Sequence, residues 1–387
     1  MEFLKCNQMM SIALKRSVNR AADPRMLERV QKISLKPEKI EFYLNEDDKE
    51  IKRCGQIEEL EEIDSLKDFS NVNVLEIELI FEIKTSKYLR LMQELSQLPR
   101  VKKLTISCWG NEASEQIAQM EALTQCETML SNLNELNIEE CINEEILMPL
   151  VREMPAMRKL KIEGEISLST LLKWNLHHLQ KLNVYAIHGL ESISQLTDHF
   201  SELEELTIGN QKNFFRGTHL LLGSVSPTLR YLDLTASQLK DTQSIAASKI
   251  HELCLRGCRL DPTPLKDCAA LTALEMQSCI LEKPMPDLIR LQELNYLVMK
   301  DCALKSLDFV SGLENLQILN LGENPIRLEE EKPDELPPQI AFVENMPHLM
   351  EIVLNPKQLD FIMDYPNYLS KKWRRVDSDM LVPNENN

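Results

Sequence analysis

The chain has 387 residues, is 43% hydrophobic and only 5% aromatic, and carries a formal net charge of −17 at pH 7. That acidity argues against a general nucleic-acid or anionic-membrane surface and makes a basic protein the partner that charge would attract. No run approaches the roughly 18 apolar residues of a membrane span, and no P-loop, G-x-S-x-G or H-E-x-x-H string offers a catalytic, metal or cofactor site.

In chain order, residues 1–24 read as an N-terminal helical cap. The start, MEFLKCNQMMSIALKRSVNR, is broken by Lys5, Asn7 and Gln8, which leaves no clean signal-peptide core. RVQKISL is the first strand. Residues 41–64 hold ten acidic against three basic side chains and read as an irregular insertion. From there apolar pairs of the form L-x-[L/I/M] recur. Counting Ile33 in the first strand, the pairs open at Ile33, Leu75, Leu104, Leu136, Leu160, Leu182, Leu206, Leu232, Leu253, Leu274, Leu297, Leu319 and Ile352. Between Leu136 and Leu319 the steps are 24, 22, 24, 26, 21, 21, 23 and 22 residues. A further apolar anchor stands three residues before each pair, as at Leu179, Leu229 and Leu294.

Four cysteines, Cys141, Cys258, Cys279 and Cys302, stand five residues after the leucine that opens a pair, and Asn324 fills the same slot after Leu319. The slot follows the strand, where the chain turns. Asparagine can bond backbone groups inside such a turn, and cysteine is small, tolerates burial and donates weakly. Helical periods of apolar residues predict helices over 112–131, 143–154 and 189–203. Beyond Leu232 the intervening segments carry prolines and predict turns or short 3₁₀ pieces. LEEEKPDELPP at 328–338 is an acidic, proline-rich loop. Residues 339–376 read as a terminal coil and capping helix, and 377–387 as a disordered tail.

The register L-x-x-L-x-L-x-x-[N/C]-x-L resembles that of the intracellular leucine-rich repeat family. The resemblance implies an α/β solenoid over 25–365, a curved horseshoe. Its parallel strands would line the concave face, with helices and 3₁₀ turns on the convex face and cap and tail residues at 366–387. The slot cysteines, with no terminal cysteine cluster, point to a reduced, cytoplasmic or nuclear protein. The family implies a non-catalytic scaffold or regulatory subunit that binds a protein partner, with no cofactor. The string AADPRMLERVQKISL also resembles the segment that joins an F-box to its first repeat. That likeness implies an alternative, the substrate receptor of a cullin-based ubiquitin ligase, although residues 1–20 contain no F-box run.

Side chains that alternate with the inward leucines form rows on the opposite strand face. Among them Tyr185, Tyr231, Asp233, Arg256, Glu275, Tyr296 and Lys300 are the candidate partner-binding residues, because tyrosine and arginine are the usual anchors of interfaces. Cys254 and Cys258 have a spacing that could suggest zinc, but the alternation sends Cys254 outward and Cys258 inward. Lys371, Lys372, Arg374 and Arg375 flank Trp373 and read as the polar face of the capping helix, with Trp373 packed on the last coil.

Overall fold

A coil of 21–26 residues cannot bury its own apolar pair, so the pairs must stack on one another. They do so in strict register. The computed structural model describes residues 30–35, 40–46, 50–57, 76–80, 100–107, 113–124, 126–141, 144–150 and 154–209. It also describes residues 219–223, 225–235, 238–326, 346–363, 373–377 and 379–383. The chain divides into two compact units, Met1–Gly189 and Leu190–Asn387.

The first unit contains β1 (Val30–Leu35), β2 (Ile40–Glu46), β3 (Glu50–Ile57), β4 (Glu76–Ile80), β5 (Lys103–Ser107), β6 (Glu135–Cys141), β7 (Lys159–Ser167) and β8 (Lys181–His188). β1 and β4 to β8 pair in parallel, each with the next. Leu104, Leu136, Leu160 and Leu182 are register partners and are buried. Two expectations change. The residue of β4 aligned with Leu104 is Ile77 rather than Leu75. In the sequence Leu75, Ile77 and Leu79 alternate with Glu76 and Glu78, so alternation alone leaves the register open by two residues. The acidic stretch is not irregular within 40–57, because β2 and β3 form an antiparallel hairpin laid against β1. Ile40, Phe42 and Leu44 alternate with Glu41 and Tyr43, a strand pattern that the count of acids conceals.

The second unit contains β9 (Glu205–Ile208), β10 (His219–Leu221), β11 (Tyr231–Thr235), β12 (Gln238–Lys240), β13 (Glu252–Arg256), β14 (Arg259–Leu260) and β15 (Ala273–Gln277). They are followed by β16 (Ile280–Leu281), β17 (Tyr296–Lys300), β18 (Ile318–Asn320), β19 (Glu351–Val353), β20 (Trp373–Asp377) and β21 (Met380–Pro383). β9, β11, β13, β15, β17, β18 and β19 form one parallel ladder, in which Leu206, Leu232, Leu253, Leu274, Leu297, Leu319 and Ile352 align. β10, β12, β14 and β16 form a second, four-stranded sheet. The last coil is closed by antiparallel strands, β21 on β19 and β20 on β21. Residues 380–383 are therefore ordered strand, and the basic segment from Trp373 is an edge strand instead of a helix. Buried Trp373 and Leu381 anchor this hairpin, and exposed Arg374 and Arg375 are the kind of charge that discourages further strand addition at an edge.

Helices form where the spacing predicts them at Ala113–Thr124, Glu127–Asn132 and Ser194–His199. Pro356–Met363 is a helix inside the segment read as terminal coil and capping helix, and short helices at Leu168–Leu171 and Gln243–Ala246 are additional. Residues Glu144–Leu150 form a 3₁₀ helix rather than an α-helix, and Pro149 inside it has no N–H to give an α-helical ladder. The cap expected at 1–24 and the loop at 328–338 lie outside the described residues.

Two backbone devices tie coil to coil. One carbonyl per coil accepts two N–H groups from the next: Arg230 O from His251 and Glu252, His251 O from Thr272 and Ala273, Thr272 O from Asn295 and Tyr296. The turn slot supplies the other. Cys258, Cys279 and Cys302 donate their thiols to the carbonyls of Leu234, Leu255 and Met276 in the preceding coil, at 3.5, 3.3 and 3.5 Å. Asn324 Nδ2 takes the equivalent bond to Met299 O at 2.6 Å, and its Oδ1 also accepts from the N–H groups of Cys302 and Leu304. The residue before each slot, Glu140, Gly257, Ser278, Asp301 or Glu323, has φ between 50° and 64°. The chain needs this left-handed residue to turn the slot inward, and only Gly257 adopts it without a steric penalty. The Cys141 side chain lies outside the described residues.

Two outcomes follow from this packing. Leu274→Ala should lower stability by ~2–5 kcal/mol and Gln277→Ala, exposed on the same strand, by less than about 0.5 kcal/mol, read from urea midpoints. Asn324→Cys should keep the bond to the preceding coil but strand two buried N–H groups, at about 1–3 kcal/mol each. A midpoint equal to that of the wild type would show that the slot residues are interchangeable.

Candidate partner-binding face

Parallel strands in register present their outward side chains as fixed rows, about 4.8 Å apart from strand to strand. In the second unit one row runs Asp233, Cys254, Glu275, Val298 and a second runs Thr235, Arg256, Gln277, Lys300. Arg256 therefore has a carboxylate diagonally before it and another diagonally after it. Its Nη1 donates to both oxygens of Asp233 at 2.7 and 2.6 Å, and its Nη2 donates to Glu275 Oε1 at 3.0 Å. Tyr231 donates its hydroxyl to Asp233 Oδ2 at 3.3 Å. The Arg256 and Asp233 side chains are only 16% and 10% exposed. Four of the candidate residues thus form one network across β11, β13 and β15.

Burial disfavours the Arg256 cation, but hydrogen bonds and charge from Asp233 and Glu275 outweigh it and hold the guanidinium charged. Burial, then Asp233, pushes the Tyr231 hydroxyl well up. Cys254, which was not a candidate, sits inside the same network. Burial, then Asp233 and Glu275, raises its thiol to about 11. The mere alternation of the strand could have flagged it, since it stands between two acids in one row.

Tyr296 is half-buried on β17, and burial followed by Glu275 raises its hydroxyl. Lys300 pairs with Glu323 at 3.0 Å. Tyr185 belongs to the first unit and is not part of this network. There Lys161 pairs with Glu163 at 2.5 Å, and burial, then Glu163, raises the Tyr185 hydroxyl. The four slot residues with described side chains, Cys258, Cys279, Cys302 and Asn324, are buried on the opposite side of the strands. Cys258 cannot share an ion with outward-facing Cys254, and no group of metal-ligating side chains is present among the described residues. No described helix is long and apolar enough to cross a membrane.

No protein-family model matches the sequence, and no curated protein matches it. Solved structures do match. An internalin (inlF) from Listeria monocytogenes superposes with a TM-score of 0.50 at 16% identity, over 90% of this chain and 87% of that one. A leucine-rich repeat protein of Leptospira interrogans also gives 0.50, at 18% identity, over 76% and 71% of the two chains. The chain has the leucine-rich repeat fold. At these identities the likeness speaks for architecture alone. Of the string that resembles an F-box junction, Val30–Leu35 forms strand β1 of this leucine-rich repeat array and the preceding residues lie outside the described ones.

Truncation should expose how the face is held. Arg256→Ala leaves two carboxylates close together without their cation and should cost about 1–3 kcal/mol, discounted from a fully buried pair because the groups retain some solvent. Arg256→Lys should recover only part of this, since one ammonium cannot reach Asp233 and Glu275 through two separate nitrogens as the guanidinium does. Thiol labelling gives a second check. With its pKa raised to about 11, Cys254 stays protonated at neutral pH and should react about a hundredfold more slowly than an ordinary thiol, gaining rate as pH climbs toward 11. Cys258, Cys279 and Cys302 should react only after denaturant is added; prompt native labelling of all three contradicts the slot assignment.

Proposed function

We propose that this chain is a non-catalytic interaction scaffold whose second unit holds a protein partner on the outward strand face from β9 to β19. The observation that carries the reading is the Tyr231–Asp233–Arg256–Glu275 network. Side chains already fixed by one another and by a parallel ladder lose little freedom when a partner arrives, so contacts made there are not offset by ordering. Tyr231 and Tyr296 lie on this face as half-buried rings, a residue type that buries large area with few rotamers lost. The leucine-rich repeat fold supports the reading in general terms, because such an array offers an extended surface.

Affinity capture with the folded chain, followed by mass spectrometry, tests this. A partner should be recovered by the wild type and weakened by roughly 1–3 kcal/mol with Tyr231→Ala or Tyr296→Ala, measured by titration calorimetry. Glu314→Gln, exposed before β18, should leave it unchanged. Recovery of ubiquitin-ligase core subunits would favour the substrate-receptor reading instead. Normal binding by every strand-face variant would move the site elsewhere.

A further inference from the structure

The strand face of the second unit carries more negative charge than its own ion pairs use. Its two cations are both engaged, Arg256 with Asp233 and Glu275, and Lys300 with Glu323. Glu252, exposed on β13, and Glu351, half-buried on β19, have no cation beside them among the described residues. The surplus acid is therefore available to a partner, while no positive group is.

Glu252 and Glu351 stand in one row, four strands apart, with Tyr296 midway between them. Glu252, Ala273 and Tyr296 are register partners on β13, β15 and β17. Ala273 reaches out by one methyl group, so a gap about 10 Å across, two strand spacings, separates the Glu252 carboxylate from the Tyr296 ring. Glu275 borders the gap in the neighbouring row. Burial raises the Tyr296 hydroxyl most, and Glu275 and Glu351 add to this from its two sides, with Arg256 opposing them. An aromatic ring set among carboxylates draws a cation by its quadrupole and by their charge together. A guanidinium or ammonium matches both. A neutral side chain would desolvate the acids without compensation, and an acidic one would be repelled.

We propose that this gap receives a lysine or arginine side chain from an extended, basic segment of a protein partner. The proposal rests on the strand face being the binding surface. The net charge of −17 would speed the approach of such a segment and make its binding fall with salt.

Selection of a displayed random peptide library on the folded full chain tests it, with the recovered peptides then measured by fluorescence anisotropy. Recovered peptides should be enriched in Lys and Arg. The double variant Glu252→Gln with Glu351→Gln, which changes only surface carboxylates, should weaken them by about 10-fold or more, as should Tyr296→Ala. The control pair Glu293→Gln with Glu314→Gln, of equal charge change but away from the face, should leave them within about twofold. Basic peptides that bind both double variants equally would reflect attraction to net charge alone and would overturn the gap as their site. Neutral or acidic peptides lost in Tyr296→Ala would preserve the strand face as the binding surface and overturn the basic partner. Absence of enrichment, or peptides indifferent to every substitution, would overturn both.

Discussion

The repeated hydrogen bonds from one coil to the next are the constraint on which the rest of the structure depends. A carbonyl such as His251 O or Thr272 O holds two N–H groups of the following coil and so fixes the entry of each strand. With the entry fixed, Leu253, Leu274 and Leu297 fall one above another and each is fully buried. The slot bonds then fix the exit. A strand held at both ends has no freedom to slip by a residue, and a slip would turn every leucine outward. The outward rows inherit this precision. Arg256 reaches Asp233 and Glu275 because the same register that stacks the leucines also sets the diagonal between the rows.

Most of this is local in sequence, which is why the strands, their inward faces and the slot at Cys258, Cys279, Cys302 and Asn324 are legible without coordinates. The hairpins at β2–β3 and β20–β21 are not. Their strands lack a repeat of their own and are stabilised by pairing with β1 or β19. Charge composition reads as loop when the pairing partner is unknown. The register of β4 fails for a related reason, since a run with three apolar residues on one face has two acceptable alignments until its neighbour chooses.

The face itself was half legible. Alternation places Tyr231, Asp233, Arg256 and Glu275 on one side of the sheet, and the structure joins them. What alternation does not convey is that Arg256 is satisfied internally. Residue type suggests an anchor for a partner's acid, whereas the diagonal geometry turns the same residue into a brace. The surface character consequently shifts from mixed to acidic, and the partner contacts proposed above fall on Glu252, Glu351, Tyr231 and Tyr296, of which sequence reasoning singled out only the two tyrosines.

The slot cysteines have a consequence beyond the folded state. Inside the coils their thiols are shielded and only weakly bonded, and Cys279 is held protonated by its thiol neighbours Cys258 and Cys302 and by burial. Once the array opens, the six free cysteines among the described residues are displayed to one another and to other chains. In air, oxygen can join such thiols into disulfides, and a wrong pairing blocks restacking until it is reduced. Recovery after heating in air is therefore expected to depend on a reductant. Asparagine in every slot, as at Asn324, would remove the slot cysteines from that pool.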